Sequence, residues 1–280
     1  MPPRPFSSAA AGQGGTPTYH GGVNTLRELS LAVLLESDPW RKAALARALH
    51  ARDGVGAAAD ICEPAGIPGR PAVPALVPHT EIRQRSIKSP DGLASLMHAL
   101  AHIEFNAINL AADLAWRFSS MPDAFYLDWM RVCQEEAYHF TLLSERLVEL
   151  GHAYGDFPAH NALWDMAEKT RHDLLARIAL VPRTLEARGL DASPPIRQKL
   201  VSIGDQRGAA ILDIILRDEI GHVAVGNHWY GVLCAQRGLD PVETYDTLAA
   251  RHGAPRLRGP FNLEARRAAG FSEAELLRLG

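Results

Sequence analysis

The feature that most constrains this chain is a repeated arrangement of glutamate and histidine. A glutamate followed about one helix-length later by a Glu-x-x-His motif occurs twice. The first copy comprises Glu104, Glu136 and His139, and the second comprises Glu186, Glu219 and His222. The intervals from glutamate to motif are 32 and 33 residues. Because positions i and i+3 share one side of a helix, each motif can present an acid and an imidazole to one point. Four helical segments must then meet around a common centre.

These acids and imidazoles interrupt rows of apolar residues, so they are predicted to face a core. Glu104, for example, falls between Leu100 and Ala107 in a 3.6-residue pattern. Burying uncompensated carboxylates costs several kcal/mol each, and metal ions would supply the compensation. Four carboxylates with two imidazoles suit Fe or Mn better than a tetrahedral zinc site. The sequence therefore predicts two metal ions held by all six residues. The alternative is a structural ion-pair network that uses the flanking Arg183 and Arg217.

Nearby acids and histidines are assigned smaller parts. Glu149 and His152 form a third Glu-x-x-His, which straddles Gly151 at a predicted helix end and is taken as a chance match. Glu135 is predicted to be solvated. Asp218 is predicted either to hydrogen-bond a ligating imidazole or to lie at the surface. Among the carboxylates of the centre, Glu186 is the least constrained by pattern, since other acids lie on the same predicted helix.

The periodicity predicts an all-α protein, because no alternating strand pattern of useful length occurs. Four long helices are predicted, and Ser89-Pro90-Asp91 has the N-cap, proline and acid typical of the start of the first. The first two run over about 89–118 and 123–150, and the fourth over about 205–237. The third begins near Pro158 and continues past a kink at Pro182. Ser193-Pro194-Pro195 predicts the start of a further short helix.

Four regions follow from these boundaries. Residues 1–22 are predicted to be a disordered tail, because Pro, Gly, Ser and Ala predominate there. Residues 23–88 are predicted to form a helical pair, over about 24–34 and 40–51, and a proline-rich strap packed on the bundle of 89–240. Residues 241–280 form a C-terminal extension to which the sequence assigns no function. A polyproline ligand is the alternative for the strap, but its apolar residues need covering.

Composition excludes several classes of function. The net charge of −3 provides no global field that would attract nucleic acid or a membrane. The three cysteines show no CxxC spacing, which argues against a disulfide framework or a cysteine-ligated zinc site. No run of residues approaches the length of a membrane span, and no signal segment follows Met1. A cytoplasmic location without membrane or nucleic-acid partners is therefore predicted.

The motif residues also resemble a known group of proteins. The six residues look like the metal ligands of the ferritin-like, carboxylate-bridged di-iron superfamily. More closely, four strings are similar to a bacterial ferritin-like family labelled a domain of unknown function. The strings are Ala101–Glu104, Glu135–Phe140, Leu185–Asp191 and Arg217–Ala224. This resemblance implies a ferritin-like four-helix bundle with a dinuclear iron site, and it extends over about 24–240. The piece Glu186–Arg188 also resembles the di-iron hydroxylase that acts on a modified tRNA base.

The predicted function is a non-haem dinuclear-metal oxidoreductase that activates O₂ to hydroxylate or oxidise an unknown substrate. Its cofactors would be two iron ions, although the ligand types leave Mn, a mixed Fe/Mn pair or Zn open. An external electron donor is needed, because no electron-transfer domain is evident in the sequence, and a monomer or homodimer is expected. One alternative is a non-catalytic metal-binding or iron-storage protein. The other, a tRNA-modifying hydroxylase, lacks an evident basic stripe.

Overall fold

The computed structural model of the chain describes residues 24–83 and 85–279, and all regular structure in those residues is helical. The prediction of an all-α protein is thus confirmed. A single isolated parallel bridge joins Leu76 to Ala159. The predicted tail of residues 1–22 lies outside the described part. No helix in the described part of the chain is long and apolar enough to cross a membrane.

Two short helices precede the long ones. Helix α1 spans Leu26–Leu35, and helix α2 spans Pro39–Arg47 with Asp38 capping its first turn. α2 ends several residues before the predicted Ala51. The guanidinium of Arg27 is buried and donates to the carbonyl oxygen of Trp116 from both Nε and Nη2, at 3.0 and 2.8 Å. This contact joins α1 to the last turn of the first long helix, which ends at Arg117.

In its described residues, the proline-rich strap contains no helix except one 3₁₀ turn at His79–Glu81. Repeated prolines remove backbone donors and fix φ, so a regular helix cannot form there. The backbone nitrogen of Gly69 donates to the carbonyl of Leu34 at 2.7 Å. A Cβ atom at Gly69 would lie 2.1 Å from the carbonyl oxygen of Leu35, so only glycine permits this approach. The strap is therefore held against α1 by its own backbone.

The first two long helices have nearly the predicted bounds. Helix α3 spans Pro90–Arg117, with the Ser89 hydroxyl accepting from the backbone of Gly92, and helix α4 spans Asp123–Glu149. Helix α4 buries one apolar face, whereas α3 is buried on all sides from Glu104 to Trp116, and the two helices pack against each other. α1 packs on α3, and α2 packs on α4.

The prediction of one continuous third helix is wrong. It is broken into α5, Ala162–Lys169, and α6, Leu174–Leu180. The side chain of Asp173 caps α6, and the buried Arg177 donates to Ala167 O at 2.5 Å and to Thr170 Oγ1 at 3.0 Å. The break is stable because Arg177 satisfies groups at the end of α5 that a continuous helix would have satisfied internally.

A π-helical turn, Val181–Glu186, follows α6 directly. Pro182 lacks the backbone N–H of an α-helix interior and would clash with the preceding turn, and the wider π turn accommodates it. The backbone nitrogen of Ala187 donates to Pro182 O at 3.1 Å. The predicted kink at Pro182 is thus a local widening of the helix, and Glu186 is the last residue of the turn.

Helix α7 spans Arg188–Ser202 and contains Pro194 and Pro195, which the sequence had placed at a helix start. Pro194 cannot donate to Leu190 O. The side-chain nitrogen of Asn262 donates to that carbonyl instead, at 3.2 Å. The helix therefore tolerates its prolines because a residue about 70 positions later replaces a lost hydrogen bond.

Helix α8 spans Gln206–Arg237 and packs against α4, α6, the π turn and α7. The C-terminal extension forms three further helices, α9 (Pro241–His252), α10 (Leu263–Ala268) and α11 (Glu273–Leu277). Apolar residues of α7, α8 and α10 make a second, smaller core that joins the extension to the long helices. That the long helices form a ferritin-like bundle, and that the chain divides into the four regions above, stay predictions.

Candidate metal centre

The structure brings together most of the residues that the repeated motif singled out. Glu104 lies on α3, Glu136 and His139 lie on α4, and Glu219 lies on α8. One ligand atom of each lies within 4.8 Å of those of the others. All four residues are buried, with at most 7% of any of them exposed. This buried cluster of carboxylates and imidazole could hold a metal ion.

Both imidazoles direct the same ring nitrogen at the cluster. His139 Nδ1 lies 3.4 Å from Glu104 Oε2 and 3.4 Å from Glu136 Oε2. His222 Nδ1 lies 3.0 Å from Glu136 Oε1 and 3.6 Å from Glu219 Oε1. The carboxylate of Glu136 thus lies between the two rings, whose centroids are 5.7 Å apart.

Glu186 is at the edge of this arrangement. It lies outside the group of four whose ligand atoms are within 4.8 Å of one another. The residue keeps some exposed surface, but the pKa of its carboxyl is raised well above its usual value, first by burial and then by Glu136 and Glu219. Its carboxyl therefore belongs to the same charged neighbourhood as the cluster.

The acids that precede each motif hold the imidazoles in a crossed pattern. Asp218 Oδ2 on α8 lies 3.1 Å from Nε2 of His139 on α4. Glu135 Oε2 on α4 lies 2.7 Å from Nε2 of His222 on α8. Glu135 keeps 37% of its side chain exposed, in line with the predicted solvation, but it also contacts His222, which the sequence does not predict. The contact from Asp218 to an imidazole is one of the two predicted alternatives. The sequence does contain a signal for these contacts, because an acid immediately precedes both motifs. It does not show that each acid contacts the imidazole of the other motif.

Several buried polar atoms at the cluster have no hydrogen-bond partner in the described residues. They are Oε2 of Glu104, Oε2 of Glu219 and Nδ1 of His222. Buried polar atoms in native proteins are nearly always satisfied, so three such atoms without an aligned hydrogen bond in one cluster indicate a missing binding partner. All three are atom types that ligate metal ions. The residues present therefore fit a metal site.

The cations that a structural ion-pair network would need are engaged elsewhere. Arg217 pairs with Asp218 at 2.8 Å, and Arg183 pairs with Glu275. Across residues 24–83 and 85–279, no Lys or Arg nitrogen lies within 4.0 Å of a carboxylate oxygen of the three clustered glutamates or of Glu186. Within the described residues, therefore, no Lys or Arg supports the alternative of a structural ion-pair network.

The pKa values of the clustered side chains are shifted by burial and by their charged neighbours. Burial, followed by the charge of Glu136, raises the pKa of Glu104 and of Glu219. Burial alone would raise the pKa of Glu136, but the adjacent imidazoles His222 and His139 hold it below its usual value. Burial opposes charge on both imidazoles, yet their carboxylate neighbours raise the pKa of each. Protons thus occupy the centre, and a metal ion must displace them on binding.

The remaining acid and histidines near the motifs make contacts away from the cluster. Glu149 pairs with Arg146 at 2.9 Å, while His152 faces Asp156 at 3.5 Å, so this third motif does not converge on one point. His98 is buried on α3, and its Nε2 accepts from the backbone of Gly155 at 2.9 Å. Burial lowers the pKa of His98 to about 4.

Comparison with known proteins gives a family without an assigned activity. The family model described as "Protein of unknown function (DUF455)" matches residues 35–277. An uncharacterized protein of Haemophilus influenzae is 48% identical over 213 residues, which cover 74% of each chain. No solved structure matches the chain. The matched range includes all six motif residues and most of the C-terminal extension, and the chain belongs to the DUF455 family of proteins of unknown function.

Proposed function

We propose that the chain holds two metal ions, most suitably iron, and uses them with O₂ to oxidise an organic substrate. The supporting observation is a buried set of three glutamates and two imidazoles, with the partly exposed Glu186 beside it, that no Lys or Arg of the described residues neutralises. The ligands would be the three carboxylates of the cluster, both imidazoles and Glu186. Glu186 supports the proposal through its position at the end of the π turn, beside α8.

Charge balance favours two divalent ions over one. Four ionised carboxylates carry four negative charges, which two divalent cations neutralise, whereas one ion would leave an excess charge in a buried site. Carboxylate oxygens and imidazole nitrogens suit iron or manganese. When bound, a pair of redox-active ions supplies electrons for the reduction of O₂. A reductant from another molecule must return those electrons.

The chain's own residues would orient the ligands and exclude water. Asp218 and Glu135 each accept from one ring Nε2, which leaves Nδ1 of each imidazole directed at the cluster. Glu136 lies between the rings and is 1% exposed, so it is fitted to contact both ions. Ligands from α3, α4, α8 and the segment after α6 match the pattern of ferritin-like bundles, which supports that fold for the long helices.

Metal stoichiometry tests the site. Protein stripped with a chelator is reloaded with Fe(II) without O₂, desalted, and its iron quantified. The wild type is expected to retain two equivalents and Glu136→Ala/Glu219→Ala close to none. Glu149→Ala/His152→Ala removes the third motif and is the matched control, which should retain two. Equal retention by both double variants would overturn the assignment.

Oxygen consumption tests the chemistry. Addition of O₂ to the reloaded wild type, with a reductant present, is expected to give sustained O₂ uptake that the Glu136→Ala/Glu219→Ala variant lacks. Size-exclusion chromatography with light scattering should give a monomer or dimer. A large shell that accumulates many iron atoms per chain would instead indicate storage and contradict the enzymatic proposal.

A further inference from the structure

The C-terminal extension encloses a cavity that the metal centre does not use. Its volume is about 310 Å³, within the range of small-molecule sites. Its walls are formed by helices α9, α10 and α11 and by the loop between α9 and α10. The side chain of Arg183, from the π turn, also lines it. The hydroxyl of Tyr245, another lining residue, lies 2.9 Å from Thr184 Oγ1. The cavity is thus built between the extension and the π turn.

The charge of the lining is unbalanced. Four arginines line the cavity, Arg183, Arg256, Arg266 and Arg278, against two carboxylates, Asp246 and Glu275. Three of these arginines have carboxylate partners: Arg183 has Glu275, Arg266 has Asp191 and Arg278 has Asp246.

Arg256 differs from the other three. In the part of the chain that the structure describes, no carboxylate oxygen lies within 4.0 Å of its guanidinium, and it is exposed at the rim. A guanidinium matches a carboxylate with two parallel hydrogen bonds. The cavity therefore offers a free cation to an anionic group of a ligand.

The remaining walls are flat and apolar. The guanidinium of Arg266 lies 5.3 Å from the ring centroids of both Phe261 and Phe271, and that of Arg183 lies 5.2 Å from Phe271. These stacked contacts hold the rings in fixed orientations. Val242 and Leu257 add aliphatic surface to the lining. Such walls favour a planar apolar body, since aromatic rings pair by stacking or edge contacts.

We propose that this cavity binds a small aromatic carboxylate, with the carboxylate on Arg256 and the ring against the phenylalanine walls. The proposal concerns binding and does not depend on metal at the Glu/His cluster. Arg183 belongs to the turn that ends in Glu186, and Tyr245 contacts that turn, so an occupant would rest against the same turn.

Calorimetric titration of the full chain at low ionic strength tests this, with benzoate as the probe. Benzamide has the same planar body without charge, and acetate has the charge without the ring. Benzoate is expected to bind saturably with one site per chain. Benzamide and acetate should each bind at least tenfold more weakly, a loss of about 1.4 kcal/mol or more.

Two variants and one control locate the site. Arg256→Ala should weaken benzoate at least tenfold, whereas Arg258→Ala, in the same exposed loop but outside the lining, should leave it unchanged. Ala249→Phe fills the cavity without altering its charge and should abolish binding. Non-saturable benzoate binding, an equal loss in Arg258→Ala, or full binding by Ala249→Phe would each overturn the proposal.

Discussion

Lys42 on α2 is fully buried, and its ammonium makes the stability of the fold depend on pH in a distinctive way. Nζ donates to Asn109 Oδ1 and, at 3.2 Å, to Leu34 O, and it lies 5.2 Å from the ring centroid of Phe105. No carboxylate is paired with it within the described residues. Burial therefore lowers the pKa of Lys42 from 10.5 to about 7.

The sign and size of the effect follow from proton linkage. Between pH 7 and 10.5 the unfolded chain binds a proton at Lys42 that the folded chain does not, so stability rises with pH in this window. The full difference corresponds to roughly 5 kcal/mol, because one pKa unit equals about 1.36 kcal/mol. Between pH 6 and pH 9 the contribution of Lys42 to the free energy of unfolding should rise by about 3 kcal/mol.

Urea denaturation of the wild type and Lys42→Met between pH 6 and pH 9 measures this contribution. The wild-type free energy of unfolding minus that of Lys42→Met is expected to rise by about 3 kcal/mol over the range. Other titrating groups cancel in the difference, and the hydrogen bonds lost in the variant add an offset rather than a slope. Lys199→Met, at an exposed position of α7, is the matched control. A flat difference for Lys42→Met, or the same slope for Lys199→Met, would refute the reasoning.

Three further perturbations address the site and its support. Gly226→Ala places a Cβ 3.0 Å from Pro182 Cβ and should displace the π turn, lowering iron retention, whereas Gly231→Ala on the same helix meets nothing within 4 Å and should retain iron normally. Asp218→Asn weakens the acceptor of an imidazole proton and should reduce metal affinity about 10- to 100-fold in a chelator competition, and an unchanged affinity would contradict its orienting part. Asp113→Ala leaves the buried Arg177 unpaired and should lower the free energy of unfolding by about 3–5 kcal/mol in urea; a loss below about 1 kcal/mol would contradict this.

Local signals predicted much of the helical framework. Ser89 followed by Pro90 and an acid indicated where α3 begins, and the side chain of Ser89 does accept from the first turn. The apolar rows placed Glu104 and Glu136 inside, and both are buried. These features depend on residues within one or two helical turns, so sequence periodicity contains them.

The features that sequence patterns did not predict depend on contacts between residues far apart in the chain. The start of α7 depends on Asn262, which supplies Leu190 O with a donor that the prolines remove. The break between α5 and α6 depends on Arg177, whose charge is also matched by Asp113 on α3. The part played by Glu135 depends on His222. No local pattern reports a partner that distant.

The crossed contacts of Glu135 and Asp218 have a consequence for how the chain matures. A fragment that contains only the first motif has His139 without the acceptor that sets its ring, because that acceptor is on α8. A nascent chain therefore lacks an oriented half-site until the later helix has docked, so tight capture of the proposed metal ions requires long-range folding. Under the proposed function, the crossing therefore couples metal acquisition to completion of the fold.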